Sequence, residues 1–337
     1  MEKQMKKKRA KKIATWIIVP FMAAIFILDI ITVELCNYYC KRYPVSTQSV
    51  ETAGDGDDRI HFLNTANSDA ILIESNGMFA LVDSGEGDSN PRRKLEYEGY
   101  EQEVVDYIIK TVGKGGKAQL EFVLGTHCHY DHIGAYHAII TNENIDIKKA
   151  YFKGYDERIG KDYETEKWML GEIYAQIEQD IHARGIELVS ALPTEPFEFG
   201  DFTLQFYNTV NNEALYGKGE NAASVGVKVT KGALSAFLAA DITASTGLED
   251  LLADKIGDVD LLKIGHHGYY GSSSMSFLDV LKPEIAVVTN QLGKIYPNVK
   301  WNLTMSAKCP IYATYDNNGL IALFGDSGEI SLFGNIH

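Results

Sequence analysis

Thr126-His127-Cys128-His129-Tyr130-Asp131-His132 decides the reading of this chain. It follows the apolar run Leu120-Glu121-Phe122-Val123-Leu124 and places three imidazoles and a carboxylate within six residues. The protein has only 9 histidines in 337 residues, so composition alone would not supply such a cluster. Imidazole nitrogen and carboxylate oxygen are the donors that a borderline divalent cation such as zinc prefers. On a segment leaving a strand as a loop, the alternate residues His127 and His129 point to one side and can share a metal. Asp131 and His132 then turn toward a second position close by. The competing reading is a polar loop whose histidines are satisfied without a metal.

The spacing His-x-His-x-Asp-His after a strand is also the signature of the metallo-β-lactamase superfamily, which the chain resembles over nearly its whole length beyond the N-terminal segment. Upstream, Ile60-His61-Phe62-Leu63-Asn64, Asp69-Ala70-Ile71-Leu72-Ile73-Glu74 and Phe79-Ala80-Leu81-Val82-Asp83-Ser84-Gly85 look like the opening β-hairpin and its Asp-containing turn. Downstream, Ala236-Phe237-Leu238-Ala239-Ala240-Asp241 looks like the strand that ends in the metal-bridging aspartate. Leu261-Leu262-Lys263-Ile264-Gly265-His266-His267-Gly268 looks like the strand that ends in the last histidine ligand. Within the superfamily the set is most similar to the hydrolase-like domain of bacterial DNA-uptake (competence) channel proteins and to surface phosphorylcholine esterases. The resemblance implies an α/β fold, a four-layer αββα sandwich, over residues 58–337.

It also implies two divalent metal ions, zinc first and manganese as the alternative. On that pattern His127 and His129 hold the first metal, Asp131 and His132 the second, and Asp241 bridges them. His266 completes the second site; His267 either takes its place or hydrogen-bonds a substrate oxygen. Asp83 is expected to orient a ligand histidine from behind, fixing its tautomer and ring plane. Two metals about 3.5–4 Å apart can share a hydroxide, because binding lowers the pKa of water from 15.7 to about 7. Such a pair clamps the attacking and leaving oxygens, which suits ester, amide and especially phosphodiester cleavage. Tyr269 and Tyr270, just past the histidine pair, are placed to touch substrate or to protonate a leaving group.

One departure bears on the first metal. Most dinuclear members carry a third histidine between the first motif and the bridging aspartate. Between residues 133 and 240 this chain has only His137 and His182, each of which reads as a structural residue on a helix. Where the third histidine is expected stand Glu220-Asn221-Ala222-Ala223-Ser224, with Asn221 and Ser224 as supporting or substrate-facing groups. A single-metal or labile-metal enzyme is the variant reading.

The N-terminus lies outside that domain. Residues 1–12 hold seven Lys and Arg against one Glu, and Ile13 to Val33 is an almost wholly apolar run of about 21 residues, marked only by Pro20 and Asp29. About 20 such residues cross a bilayer, and a proline is tolerated there. The basic cluster precedes the run, so residues 1–12 are expected to be a cytoplasmic tail, 13–35 an uncleaved transmembrane anchor, and the rest extracellular. A cleaved signal peptide is the rival; no small-x-small cleavage site stands near residues 31–45. Residues 36–57 read as a polar linker. The tail carries six net positive charges, so of the formal −14 the remainder carries −20. Nucleic-acid binders usually present a basic stripe. The expected partner is therefore a small or cell-wall-linked phosphoester, with nucleic acid disfavoured.

Four cysteines make no disulfide framework; Cys128 should point into the protein, away from the metals. Helices are expected over Gln102–Val112, Tyr163–Arg184, Thr246–Ala253 and Met275–Leu281. The aromatic segment Tyr151–Arg184 either covers the metal mouth, as a cage for a quaternary ammonium group, or packs onto the body. Ile311–Thr314, Leu320–Phe324 and Ile330–Phe333 read as closing antiparallel strands. The expected activity is outward-facing, metal-dependent hydrolysis of a phosphate ester. Its rival is a non-catalytic, membrane-tethered binding or accessory protein that keeps the fold.

Overall fold

The computed structural model describes residues 2–47, 57–88, 99–113 and 116–336. Alternation within the strands builds its centre. In Ala70–Ser75, Ile71 and Ile73 face one core and Leu72 another; in Met78–Ser84, Ala80 and Val82 oppose Phe79 and Leu81. Successive side chains point to opposite faces of a strand, so strands apolar on both faces must be covered on both sides. Two sheets meet that demand. The first runs, edge to edge, Val45–Ser46, Ile330–Gly334, Leu320–Phe324, Asp58–Phe62, Ala70–Ser75, Met78–Ser84, Phe122–Gly125, Lys149–Phe152 and Glu187–Val189. The second runs Phe197–Phe199, Phe202–Tyr207, Gly226–Lys231, Leu234–Leu238, Leu261–Lys263, Ile285–Val288 and Ile311–Ala313.

Between the sheets lies a core built from Ile60, Phe62, Ile71 and Leu124 on one side and Phe206, Val227, Leu238 and Val287 on the other. The outer face of the first sheet is covered by helices Glu101–Gly113, Tyr136–Thr141 and Leu170–Ala183, through Ile108, Ile139 and Ile177. The outer face of the second is covered by Leu248–Ile256, Met275–Leu281 and Pro297–Trp301, through Leu252, Phe277 and Val299. The layers are αββα, as the resemblance implies.

Several local expectations need correction. Tyr163–Arg184 is not one helix: Asp162–Glu166 and Leu170–Ala183 are separated at Met169, whose φ of 53° no continuous helix accommodates. Ile311–Ala313 does not join the closing antiparallel pair but lies parallel to Ile285–Val288 at the edge of the second sheet. The N-terminal helix, Glu2–Tyr39, continues past residue 35, and Val45–Ser46 is the first sheet's edge strand, paired with Ile330–Gly334. Residues 48–56 of the expected linker lie outside the described residues. Thr15–Tyr39 is long and apolar enough to cross a bilayer. Its far end nevertheless packs on the domain: Cys36 is buried and its sulfur lies 3.6 Å from the Ile311 carbonyl. Asp29, the charge that interrupts the apolar run, ion-pairs with Lys300 at 2.6 Å. Cys36 and Cys40 are free thiols with sulfurs 4.0 Å apart.

Candidate metal centre

The strand ends place the site. Met78–Ser84 and Phe122–Gly125 run parallel, as do Leu234–Leu238, Leu261–Lys263 and Ile285–Val288. Asp83, His127, Asp241, His267 and Thr289 therefore leave the same ends of both sheets, where open α/β folds carry their ligands. Local backbone strain marks the same spot. Asp83, Ala240, His266 and His267 all hold left-handed φ values between 45° and 59°, unusual for residues with a side chain. Cross-links hold them there. His266 N donates to Ala240 O at 2.9 Å, Asn290 Nδ2 to His267 O at 2.9 Å, and Ser84 Oγ to His132 O at 3.0 Å.

Three imidazoles converge on one carboxylate. His132 Nε2 lies 3.2 Å and His267 Nε2 3.4 Å from Asp241 Oδ1, with His127 Nε2 3.8 Å from Oδ2. His132 Nε2 and His267 Nε2 are 3.2 Å apart, and His127 Nε2 lies 3.1 Å from His129 Nδ1. Asp131 Oδ2 stands 3.7 Å from His267 Nε2. Two groupings, His127–His132–Asp241 and Asp131–His132–His267, bring all donor atoms within 4.8 Å of one another. Nitrogen facing nitrogen at such distances, beside buried carboxylates, is a donor set that a cation between them would satisfy. Of the adjacent histidines, His267 is fully buried in this cluster, while His266 is partly exposed at the rim with its Nε2 3.9 Å from Asp241 Oδ2.

Outside the cluster, each inward-facing ring is held from behind. His132 Nδ1 and Asp83 Oδ2 are 2.6 Å apart; the same carboxylate accepts from Thr126 N and Thr126 Oγ1, both at 2.8 Å. His267 Nδ1 lies 3.1 Å from Thr289 Oγ1. Asp69, which the motifs did not single out, accepts from Thr289 Oγ1 and forms a fully buried ion pair with Lys263. His129 Nε2 lies 3.3 Å from Glu164 Oε1, a carboxylate supplied by the aromatic insert. Trp168 of the same insert stands edge-on to His129 at 5.6 Å, with Tyr163 against it. Tyr151, Phe152 and Tyr174, by contrast, are core residues. The insert packs on the body and reaches the cluster at His129 through Glu164 and Trp168.

Charge follows from burial and neighbours. Burial pushes His127 down, and its histidine neighbours push it further. Burial also opposes the charged form of His132, but Asp241 and Asp83 outweigh it and lift the imidazole well above its usual range. Asp241 goes the other way: burial would raise it, but His132, His267 and His266 hold it well below the carboxylate range. Glu220 is pushed up to about 7, chiefly by burial; its Oε1 accepts from Cys128 N at 3.0 Å. Cys128 itself turns into the core under the first helical layer.

His137 Nδ1 lies 2.7 Å from Asp180 Oδ2 and His182 lies exposed on its helix, so neither joins the cluster. Asn221 Oδ1 and Ser224 Oγ are buried, and neither atom has a hydrogen-bond partner. The loop that carries them is tied to the motif by Val225 N donating to Thr126 O at 3.1 Å. Tyr269 is half-buried, its ring 5.7 Å from that of His266.

Two mixed sheets between helical layers define the αββα fold class, and the buried His/Asp cluster at the strand ends is its candidate metal centre. No family model matches the sequence. Among characterised proteins the chain is similar to Recombination protein 2 of Haemophilus influenzae, 23% identical over 233 residues, which is 69% of this chain and 24% of that protein. The chain thus spans about a quarter of that relative's length. Among solved structures it is similar to the metallo-β-lactamase fold protein YhfI from Bacillus subtilis, at 12% identity over 77% of this chain and 96% of that one, TM-score 0.48. It is also similar to CmlA, a diiron β-hydroxylase from Streptomyces venezuelae, at 13% identity over 77% and 53%, TM-score 0.46.

Proposed function

We propose that this protein is a membrane-anchored, outward-facing metal-dependent hydrolase acting on a phosphodiester or other phosphate ester. The observation that carries the proposal is the approach of His127, His132 and His267 to the single carboxylate of Asp241 in a buried pocket. His127 and His129 would hold one divalent cation, zinc or manganese, and Asp131, His132 and His267 a second, with Asp241 between them. His267 replaces His266 in that set because its ring, and not its neighbour's, is buried against His132. When bound, such a pair supplies a Lewis acid and a water-derived nucleophile at neutral pH.

The chain's own residues do the rest. Asp83, Thr289 and Glu164 fix ring orientation by holding the nitrogens that face away from the pocket, an outer arrangement on which metal affinity depends. His266 and Tyr269 line the rim, where they can bind substrate oxygens and return a proton to the leaving group. Trp168 and Tyr163 exclude water over His129. The Thr15–Tyr39 helix and the basic residues before it support an anchor with the catalytic domain outside. The remaining charge of −20 disfavours long polyanions and favours small or lipid- and wall-linked esters.

The test is metal content and bis(p-nitrophenyl) phosphate turnover of the full chain in detergent, beside His129→Ala and Asp241→Asn. Two metals per chain, with turnover abolished in both variants, is the expected result. The second reading, a non-catalytic tethered binding protein, draws on Asn221 and Ser224 standing where a third histidine would complete the first metal position. A folded chain that holds no metal and cleaves nothing would establish that reading instead.

A further inference from the structure

The membrane helix and the rim of the site meet. The Pro297–Trp301 helix packs beside residues 25–32 of the membrane helix, leaving a largely apolar crevice of about 380 Å³ between Ile25, Leu28 and Thr32 on one side and Pro297, Asn298 and Trp301 on the other, with Asp29 the one acidic residue in its wall. Counting 1.5 Å per residue from Ile13, Asp29 lies about 24 Å along the helix, short of the ~30 Å hydrocarbon thickness. Lys300 therefore pairs with it inside the outer leaflet, and on the same count the crevice, from Ile25 to Thr32, lies about 18 to 29 Å along, at the depth of lipid chains and just below the headgroups. Tyr296, the residue before Pro297, carries that surface to the site: its ring is 6.1 Å from Tyr269, which in turn is 5.7 Å from His266. Its backbone N donates to Gly268 O at 3.0 Å, directly after the histidine pair. Tyr270 is 68% exposed and its ring lies 6.2 Å from Tyr296. Tyrosine and tryptophan are the side chains that settle at membrane–water interfaces.

We propose that the substrate is a phosphodiester lipid of the outer leaflet. Its chain lies in the crevice between the membrane helix and Pro297–Trp301, and its phosphate reaches the metal pocket past Tyr296 and Tyr269. This rests on the anchored phosphodiesterase reading above and narrows it to a substrate class. Hydrolysis adds water across one P–O ester bond: oxygen from water joins phosphorus, the ester oxygen leaves with a proton, and the products are a phosphomonoester and an alcohol.

The experiment uses the metal-loaded full chain in phosphatidylcholine–phosphatidylglycerol vesicles, offered the same headgroup phosphodiester as a long-chain lipid or as a short-chain soluble ester. The long-chain lipid should turn over at least about tenfold faster, the worth of roughly two buried methylenes. Asn298→Trp, which fills the crevice, should remove that advantage and leave the soluble ester within about twofold. Independently of activity, in a Trp16→Phe background bromine-labelled lipids should quench Trp301 but not Trp168, with or without metal. Cleavage of the soluble ester with no preference for the lipid overturns this proposal and leaves the phosphodiesterase reading standing. Failure to cleave either ester and bis(p-nitrophenyl) phosphate alike sinks both. An unquenched Trp301 refutes the position of the crevice by itself.

Discussion

Glu164→Gln should cost the first metal position selectively. Glu164 Oε1 lies 3.3 Å from His129 Nε2, while Oε2 accepts from Lys161 N at 2.6 Å and Glu220 N at 3.2 Å. Glutamine has one acceptor oxygen and one NH₂ group. To keep both backbone bonds it must turn the oxygen toward Lys161 and Glu220, which leaves its NH₂ pointing at His129. An imidazole that accepts there carries its proton on Nδ1, the nitrogen that faces His127 Nε2 at 3.1 Å. That nitrogen is then blocked toward a metal until the ring changes tautomer against its new partner. Loss of such an orienting partner lowers metal affinity about 10–100-fold, or ~1.4–2.7 kcal/mol. Competition with a chromophoric chelator should show one weakened site and one unchanged. Unfolding in excess chelator should differ little, because the two backbone bonds survive. Two sites of wild-type affinity in Glu164→Gln would refute the argument.

Lys263→Ala should be severely destabilising. It strands the buried Asp69 carboxylate, and removing one partner of a buried ion pair costs about 3–5 kcal/mol; urea unfolding should show this, with Asp69→Asn/Lys263→Met recovering much of it. Gly265→Ala should weaken metal binding, because a Cβ there would meet the Ile242 carbonyl oxygen well inside contact distance. Overpacking of that kind costs about 1–3 kcal/mol and would displace the turn that carries His267, so an unchanged metal stoichiometry would count against it. His61 supplies a pH test away from the metals. Its Nδ1 lies 2.7 Å from Tyr107 Oη and its Nε2 3.0 Å from Glu74, and burial holds it below the ordinary histidine value. The unfolded chain takes up that proton below about pH 6.5, and the folded one takes it up only at lower pH. Stability should therefore fall as pH drops through that value, by up to ~1.4 kcal/mol per unit from this group. In chelator, His61→Gln should show a shallower decline than wild type between about pH 6.5 and 5.5; identical slopes would dismiss it.

What could be read from the sequence was what a short segment contains whole. The short apolar runs around residues 60, 72, 81 and 123 predict strands because each carries its own length, bounds and Ile/Leu/Val/Phe content. The motif places His127, His132 and Asp131 together because six residues leaving one strand cannot travel far. Asp83 and Asp241 were legible for the same reason: each closes an apolar run. The missed residues act across the chain. Glu164 reaches His129 from 35 positions away, and Asp69 reaches Lys263 from 194 positions away, with no local pattern marking either pair. The choice between His266 and His267 depends on two successive left-handed residues, a backbone state that nothing in Gly265-His266-His267-Gly268 announces. Ile311–Ala313 carries a strand signal, but partner and direction are settled by Ile285–Val288, far upstream.

The strained backbone bears on how the site is made. Residues held in sparsely populated φ/ψ regions cost on the order of 1–3 kcal/mol each, and four of them surround Asp241. None is needed to satisfy a core: the sheets pack through Leu124, Leu238 and Val287, short of these turns. The strain is instead offset by bonds among the loops themselves, from His266 N to Ala240 O, Asn290 to His267 O and Asp69 N to Asp131 O. Each bond joins a metal-facing loop to another loop of the site, so the turns support one another before any cation arrives. A pocket built this way presents its nitrogens and carboxylates in fixed register. A cation bound there would meet donors already in place rather than fold the chain around itself. The double-layered core carries the fold, and the donor set is mounted on it under tension.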